Sequence, residues 1–341
     1  MELALYCPEI GYYERTNEVV GKGGDFVTSV SCGSLFGQLL ASQFASWCED
    51  FSGSVQWVEA GAHDGRLAAD VLAATRERSP KLFERLEYCL IEPSERRQDW
   101  QRKRLEPYGE QVKWFRSFEK LMPDGINGVV FSNELLDAFP VHRLGWDAGD
   151  KRWMEWGVGC IGGRFEWREI NESSRDWSAD LAAAGFDIPP ELAAVLPDGF
   201  IVEVSPEAGR WWRDAAQVLR HGRLMTIDYG LRAEQFLMPE RSSGTLRSYR
   251  RHAVGNDLLS APGEQDLTAH VNFSQLIRAG ERAGLRTEAL TSQPEFLANL
   301  AQRMWCNSNP PTSAQIRQFQ TLTHPEHLGR AFKVLVQSRL S

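Results

Sequence analysis

The sequence predicts an α/β fold built on a doubly wound, mostly parallel sheet with helices on both faces. Two stretches carry that prediction, Val55–Leu67 (VQWVEAGAHDGRL) and Leu86–Pro93 (LEYCLIEP). Each opens as a short, mostly apolar run and ends at a glutamate, Glu59 or Glu92, as parallel strands do where they reach the carboxyl edge of a sheet. Between them Arg66–Arg78 reads as the crossover helix.

The remaining elements follow in order. Gly21–Ser29 (GKGGDFVTS) is a glycine-rich stretch leading to a helix, Leu35–Glu49. Ser94–Leu105 reads as a charged helix, Val112–Arg116 as a third strand and Gly128–Ser132 as a fourth. In Gly145–Ile170, four tryptophans (Trp146, Trp153, Trp156, Trp167) alternate with charges around a glycine turn, which predicts a β-hairpin; packing over the sheet is preferred to a peptide-binding wall. Asn171–Pro197 reads as two short helices around the Ile188-Pro189-Pro190 break. Phe200–Val204 is a strand, Glu207–Arg220 a helix closed by His221-Gly222, and Arg223–Ile227 the fifth sheet strand. Gly244–His252 and Gln265–Asn272 read as polar loops. The tail alternates a helix (Phe273–Ala283), a strand (Arg286–Thr291), helices (Glu295–Arg303, Ser313–Leu322) and a last strand (Phe332–Gln337), the two strands forming an antiparallel pair.

The 341 residues suffice for a large core, and 42% hydrophobic with 25% charged residues is ordinary for a globular chain. A net charge of −8 argues against a general nucleic-acid binder and is compatible with a cationic substrate. Six scattered cysteines without C-x-x-C pairs favour reduced thiols over zinc or a disulfide framework. No apolar run of membrane-spanning length, signal peptide or Arg-rich presequence is read, so the expectation is a cytoplasmic protein without membrane insertion.

The strand ends suggest recognition of a nucleoside. Gly61 and Gly65 bracket the turn after the first strand, where backbone approaches a ligand, and Glu92 can accept hydrogen bonds from both ribose hydroxyls. A nicotinamide fingerprint requires G-x-G-x-x-G, which Gly61–Arg66 does not supply. The spacing Glu59-x-Gly61-x-x-x-Gly65 suits S-adenosylmethionine better, because no pyrophosphate has to be seated. Lys22 is misplaced for a phosphate loop, and no metal-ligand spacing is found, His252 and His270 included.

Eight further blocks keep one order along the chain: GDFVTS (Gly24–Ser29), SLFGQLLA (Ser34–Ala41), IEPSERRQDWQ (Ile91–Gln101), NELLDAFPV (Asn133–Val141), VEVSPEA (Val202–Ala208), LMTIDYG (Leu224–Gly230), GTLRSYRRH (Gly244–His252) and PGEQDLTAHVNFS (Pro262–Ser274). Together they resemble the MidA-type methyltransferases, a family that includes the mitochondrial complex I assembly factor that methylates an arginine. The resemblance implies a Rossmann-like class I methyltransferase with a seven-stranded sheet, an N-terminal cap and lid in residues 1–52, and a methyltransferase domain in 53–341. It further implies an insertion at 142–199 between the fourth and fifth strands, on the substrate side, and a further helix ahead of Met1. Asp25, Thr28, Ser29, Glu59, Gly61, Gly65 and Glu92 are the expected cofactor residues. Two departures stand out: VSCG (Val30–Gly33) replaces the family's P-E-I-S and loses a carboxylate, and His63 replaces the middle glycine of G-P-G-R-G-T.

The fourth strand delivers Asn133, whose side-chain carbonyl can hold a nucleophilic nitrogen in line with the methyl donor. Glu134 and Asp137 add two carboxylates that suit a planar guanidinium. These three are the expected catalytic residues; a helix cap and an exposed helical acid are the plain alternative. Glu203, Asp228, Tyr249, His252 and His270 are the expected substrate-side residues. The function expected is methyl transfer to a nitrogen, a protein arginine by the resemblance, with a complex I-type subunit as partner and a homodimer compatible. A fold-retaining assembly factor is the alternative that His63 and the lost carboxylate keep open; a nicotinamide oxidoreductase ranks third.

Overall fold

A computed structural model describes residues 1–14, 28–121, 123, 125–170, 176–250, 253–255, 257–306, 310–324 and 332–340. The central sheet contains β1 (Val55–Ala60), β2 (Leu86–Ile91), β3 (Val112–Phe115), β4 (Ile126–Asn133), β5 (Leu219–Leu231), β6 (Arg286–Ser292) and β7 (Phe332–Arg339). Their spatial order is β6-β7-β5-β4-β1-β2-β3. β1 to β5 run parallel, β7 is antiparallel to β5 and to β6, and Val271–Asn272 adds a short parallel pairing at the end of β5. The connections run outward from β1 to β2 and β3, then return to β4 and β5 on its other side. The crevice between the carboxyl ends of β1 and β4 is therefore the switch point where such sheets bind ligands.

Both faces of the sheet are covered because its central strands are apolar on both sides. One face packs Leu39, Phe44, Trp57, Val71 and Phe131 beneath the helices Leu35–Trp47, Arg66–Arg78 and Gln293–Cys306. The other packs Val58, Val130, Trp212, Phe273 and Leu276 beneath Pro206–Val218 and Phe273–Arg282. Ser94 caps the charged helix Glu95–Leu105 by accepting the Arg97 N–H, and Ser205 caps Pro206–Val218 in the same way at Ala208.

The tryptophan-rich segment goes beyond a hairpin. Strands His142–Asp147, Arg152–Ile161, Arg164–Glu169 and Ile201–Val204 form a separate four-stranded antiparallel sheet. Its inner face buries Leu144, Trp146, Phe200 and Val202 against Trp177 and Phe236, so Trp146 serves packing. Two sequence expectations need correction. His221 and Gly222 do not close a helix: that helix ends at Val218, and both residues lie inside β5, paired with Asn127 and Gly128. The polar loops contain short strands, Arg247–Arg250, Ala253–Gly255 and Asp266–Thr268, joined in a three-stranded sheet.

Candidate active site

Where β4 ends, the chain turns sharply at Asn133–Phe139. Glu134 takes a left-handed backbone conformation, φ 51°, costly for a side chain with a Cβ and retained only where neighbours over-determine it. Three elements do so. Asp228, at the end of β5, accepts the N–H groups of Leu135 (3.2 Å) and Leu136 (2.9 Å). Ala269 N–H donates to the Asp137 carbonyl (2.9 Å), and the Tyr6 hydroxyl donates to the Ala138 carbonyl (3.0 Å).

This turn forms one wall of a cavity of about 1450 Å³, roomy enough for a nucleoside cofactor together with an acceptor side chain. Its opposite wall is the end of β1 and the turn Gly61–Gly65. Gly61 has φ 75°, and a Cβ there would meet Leu135 Cδ1 at 2.8 Å, so the missing side chain lets Leu135 of the β4 turn pack directly against the end of β1. Gly65, φ 82°, starts the helix Arg66–Arg78 and does not line the cavity. His63 tolerates its position by adopting φ 46°. Its carbonyl accepts Gln101 Nε2 at 3.0 Å, and its ring lies 6.1 Å from that of Trp100.

Glu92 is buried at the tip of β2. Its Oε1 accepts Ser94 N–H (2.9 Å) and Arg97 Nε (3.0 Å), and its Oε2 accepts Gln101 Nε2 (3.3 Å). Burial raises its pKa, and Arg97 with these donors opposes the rise. Oε2 thus retains acceptor capacity towards the cavity. Glu59 also lines the cavity, but its carboxylate takes the Tyr88 hydroxyl at 2.5 Å, and burial pushes its pKa up to about 8.

At the end of β4, Glu134 Oε1 accepts Ser29 N–H at 2.9 Å and Asn133 Nδ2 at 3.2 Å. Asp137 accepts the Tyr229 hydroxyl in a short hydrogen bond. Burial raises Glu134 to about 7 and Asp137 to about 6. Asn133 Oδ1 is buried without a hydrogen-bond partner. Among the described residues no lysine or arginine pairs with either carboxylate. The wall is completed by Tyr6, Tyr13, Tyr249, Asp266, Thr268 and His270. Burial, aided by Arg241 and Arg247, lowers His270 to about 4, so its ring is neutral.

The expected residues therefore divide. Thr28, Glu59, Gly61, Glu92, Asn133, Glu134, Asp137, Tyr249 and His270 meet at one cavity. Ser29 stands behind Glu134. Two expected substrate carboxylates are displaced: Asp228 is spent on the Leu135–Leu136 backbone, and Glu203 accepts Thr245 N (2.7 Å) and Oγ1 (3.0 Å) away from the cavity. Asp25 and His252 lie outside the described residues. Sequence reasoning missed Tyr6 and Arg97, and Tyr13 is more than packing: its hydroxyl donates to Asp266 at 2.9 Å. The local signal is the run Gly11-Tyr12-Tyr13, of which Tyr12 is buried core and Tyr13 packs partly buried against it.

A family model described as "Putative S-adenosyl-L-methionine-dependent methyltransferase" matches residues 39–291. The chain belongs to that family. The methyltransferase is also 30% identical to a crystallised Burkholderia thailandensis protein bound to S-adenosyl-homocysteine. That match covers 99% of this chain and 86% of that one, with a TM-score of 0.84. A protein arginine methyltransferase NDUFAF7, mitochondrial, of Danio rerio is 27% identical over 100% of this chain and 83% of its own length. The Homo sapiens protein of the same name is 26% identical over 97% and 77%. The MidA-type resemblance, the class I fold and S-adenosylmethionine as cofactor stand. The cytoplasmic expectation does not, because these relatives are named mitochondrial.

Proposed function

We propose that this methyltransferase transfers a methyl group to an arginine of a protein partner, with Asn133, Glu134 and Asp137 receiving the guanidinium. One observation carries the reading: on a single turn, a buried side-chain carbonyl stands beside two carboxylates, and among the described residues the carbonyl has no donor and the carboxylates no cation. Burying carboxylates without a counter-charge is costly, and a guanidinium relieves that cost with a planar set of five donors. The names of the curated relatives support the same acceptor.

S-adenosylmethionine supplies an electrophilic methyl group on a sulfonium. In this reading Glu92 holds the ribose hydroxyls, Gly61 admits the cofactor backbone, and Thr28 and Glu59 border it. Asn133 Oδ1 orients the attacking nitrogen, and the two carboxylates fix the guanidinium plane, so that most of the acceleration is positioning. Transfer to a guanidinium releases one proton while the product stays cationic. Glu134 Oε2, whose sister oxygen takes the Ser29 N–H, is our candidate to receive it. Residues 1–52 act as cap, 53–341 as the methyltransferase domain and 142–199 as its substrate-side insertion. A complex I-type subunit is the partner that the sequence motifs suggest.

The test is mass spectrometry of arginine- and lysine-containing peptides and proteins incubated with enzyme and S-adenosylmethionine. Methylarginine with unmodified lysine supports the proposal. Transfer to lysine, carboxylate or hydroxyl groups instead overturns it.

A further inference from the structure

Glu134 owes its direction to a chain of buried contacts that ends far from the cavity. Its carboxylate takes the Ser29 N–H at 2.9 Å. Ser29 is fully buried, and its hydroxyl donates to Gln293 Oε1 at 3.3 Å. Gln293, also fully buried, begins the helix Gln293–Cys306 and donates Nε2 to the Leu322 carbonyl at 3.0 Å. A carbonyl only accepts, so Leu322 settles which end of the amide faces Ser29. The hydroxyl hydrogen is thereby directed to Gln293, and the Ser29 backbone is pinned with its N–H aimed at Glu134. Neither Ser29 nor Gln293 lines the cavity.

We infer that Gln293 and Ser29 are positioning residues for Glu134, holding its carboxylate towards the acceptor from behind. The inference rests on the acceptor reading above, and it replaces the expectation that Ser29 contacts the cofactor. Asp228, Ala269 and Tyr6 hold the backbone of the turn, and the Ser29 N–H holds the Glu134 carboxylate itself. Among the described residues, the charged groups acting on it are Asp137 on the same turn and Asp228 at the end of β5, both acidic. The segment Thr28–Cys32 brings no charge of its own. The Ser29 contacts and the Asn133 amide together oppose the burial that raises this carboxyl to about 7.

The experiment compares Ser29→Ala, Gln293→Leu, the double variant and Glu134→Gln. Readouts are kcat/KM on an arginine peptide over about pH 5.5 to 9 and calorimetric binding of S-adenosylhomocysteine. Each of the first two substitutions is expected to lower kcat/KM about tenfold with cofactor affinity unchanged. The double variant is expected to lose no more than the worse single one, because both act through one contact. The acid limb of Ser29→Ala is expected to move to higher pH, since the backbone N–H is no longer pinned through the hydroxyl bond to Gln293 and serves the ionised carboxylate less well. Additive losses, or an acid limb left in place, overturn the inference. Should Gln293→Leu fail to fold, the smaller Ser29→Ala carries the test through its acid limb. Full activity of Glu134→Gln sinks the acceptor reading and this inference together. An inactive Glu134→Gln beside a wild-type Ser29→Ala sinks the positioning role alone.

Discussion

Arg97 donates its Nε to Glu92 Oε1 at 3.0 Å while its Nη2 lies 3.4 Å from Glu14, so one guanidinium ties the N-terminal segment to the carboxylate at the tip of β2. The Glu92 carboxylate is thus pre-oriented with one oxygen, Oε2, left to a single side-chain donor. Glu92→Ala is expected to weaken binding of S-adenosylmethionine and S-adenosylhomocysteine by about 10- to 100-fold, the range for hydrogen bonds to a charged group. Calorimetric titration checks it, and an unchanged affinity refutes the ribose assignment.

Asn133→Ala is expected to cut kcat/KM by roughly 100-fold or more, in line with loss of one oriented polar group at a reacting centre. Because Oδ1 has no partner among the described residues, the loss belongs to transfer. Cofactor affinity, measured in parallel, should stay within about threefold, short of the tenfold that 1.4 kcal/mol represents.

Asp137→Asn is expected to abolish detectable transfer while the protein still binds cofactor; retained turnover counts against its role. In the parent enzyme, kcat/KM should rise through pH 6 to 7 and level above it. Asp137 at about 6 and Glu134 at about 7 must ionise before they can hold a cation. A flat profile across that range contradicts the assignment.

Glu59 predicts a stability effect. Its folded pKa, about 8, lies above the ordinary carboxyl value, so the folded state binds the extra proton between the two. The associated stability is complete below the unfolded pKa, roughly 4.3, and is lost as pH rises through 8. Glu59→Gln should therefore raise unfolding free energy at pH 8 by about 2 to 4 kcal/mol and change little at pH 4. Denaturant titration at both values checks the sign. Equal effects at the two pH values exclude it.

His63→Gly tests the departure in the glycine turn. The residue already occupies a left-handed conformation, and its carbonyl makes the contact to Gln101. Glycine relieves backbone strain and adds chain entropy, so stability should change by less than about 1 kcal/mol. Cofactor affinity should be nearly unaltered; a gain of tenfold or more would mean that the imidazole obstructs the cofactor.

The helix Arg66–Arg78 and the strands around it were legible in the sequence because their apolar periodicity, Gly65 and the strand-end glutamates are local signals. Asn133, Glu134 and Asp137 were legible as a motif, since they share one turn. Only the tertiary structure could separate Asp137 from Asp228: both are strand-end acids in sequence, yet one opens on the cavity and the other is consumed by the Leu135 and Leu136 amides. It likewise brought Tyr6, Tyr13 and Gln293 to the site from the two ends of the chain. Which buried donors meet which carboxylates depends on contacts between residues hundreds of positions apart, such as Ser29 and Gln293, and no periodicity encodes those. The sequence by itself determined the fold and the cofactor class, and it marked Asn133, Glu134 and Asp137 as one motif. The packing of distant elements decided which carboxylates remain free to act, because a buried acid with its lone pairs already taken has little left for a substrate.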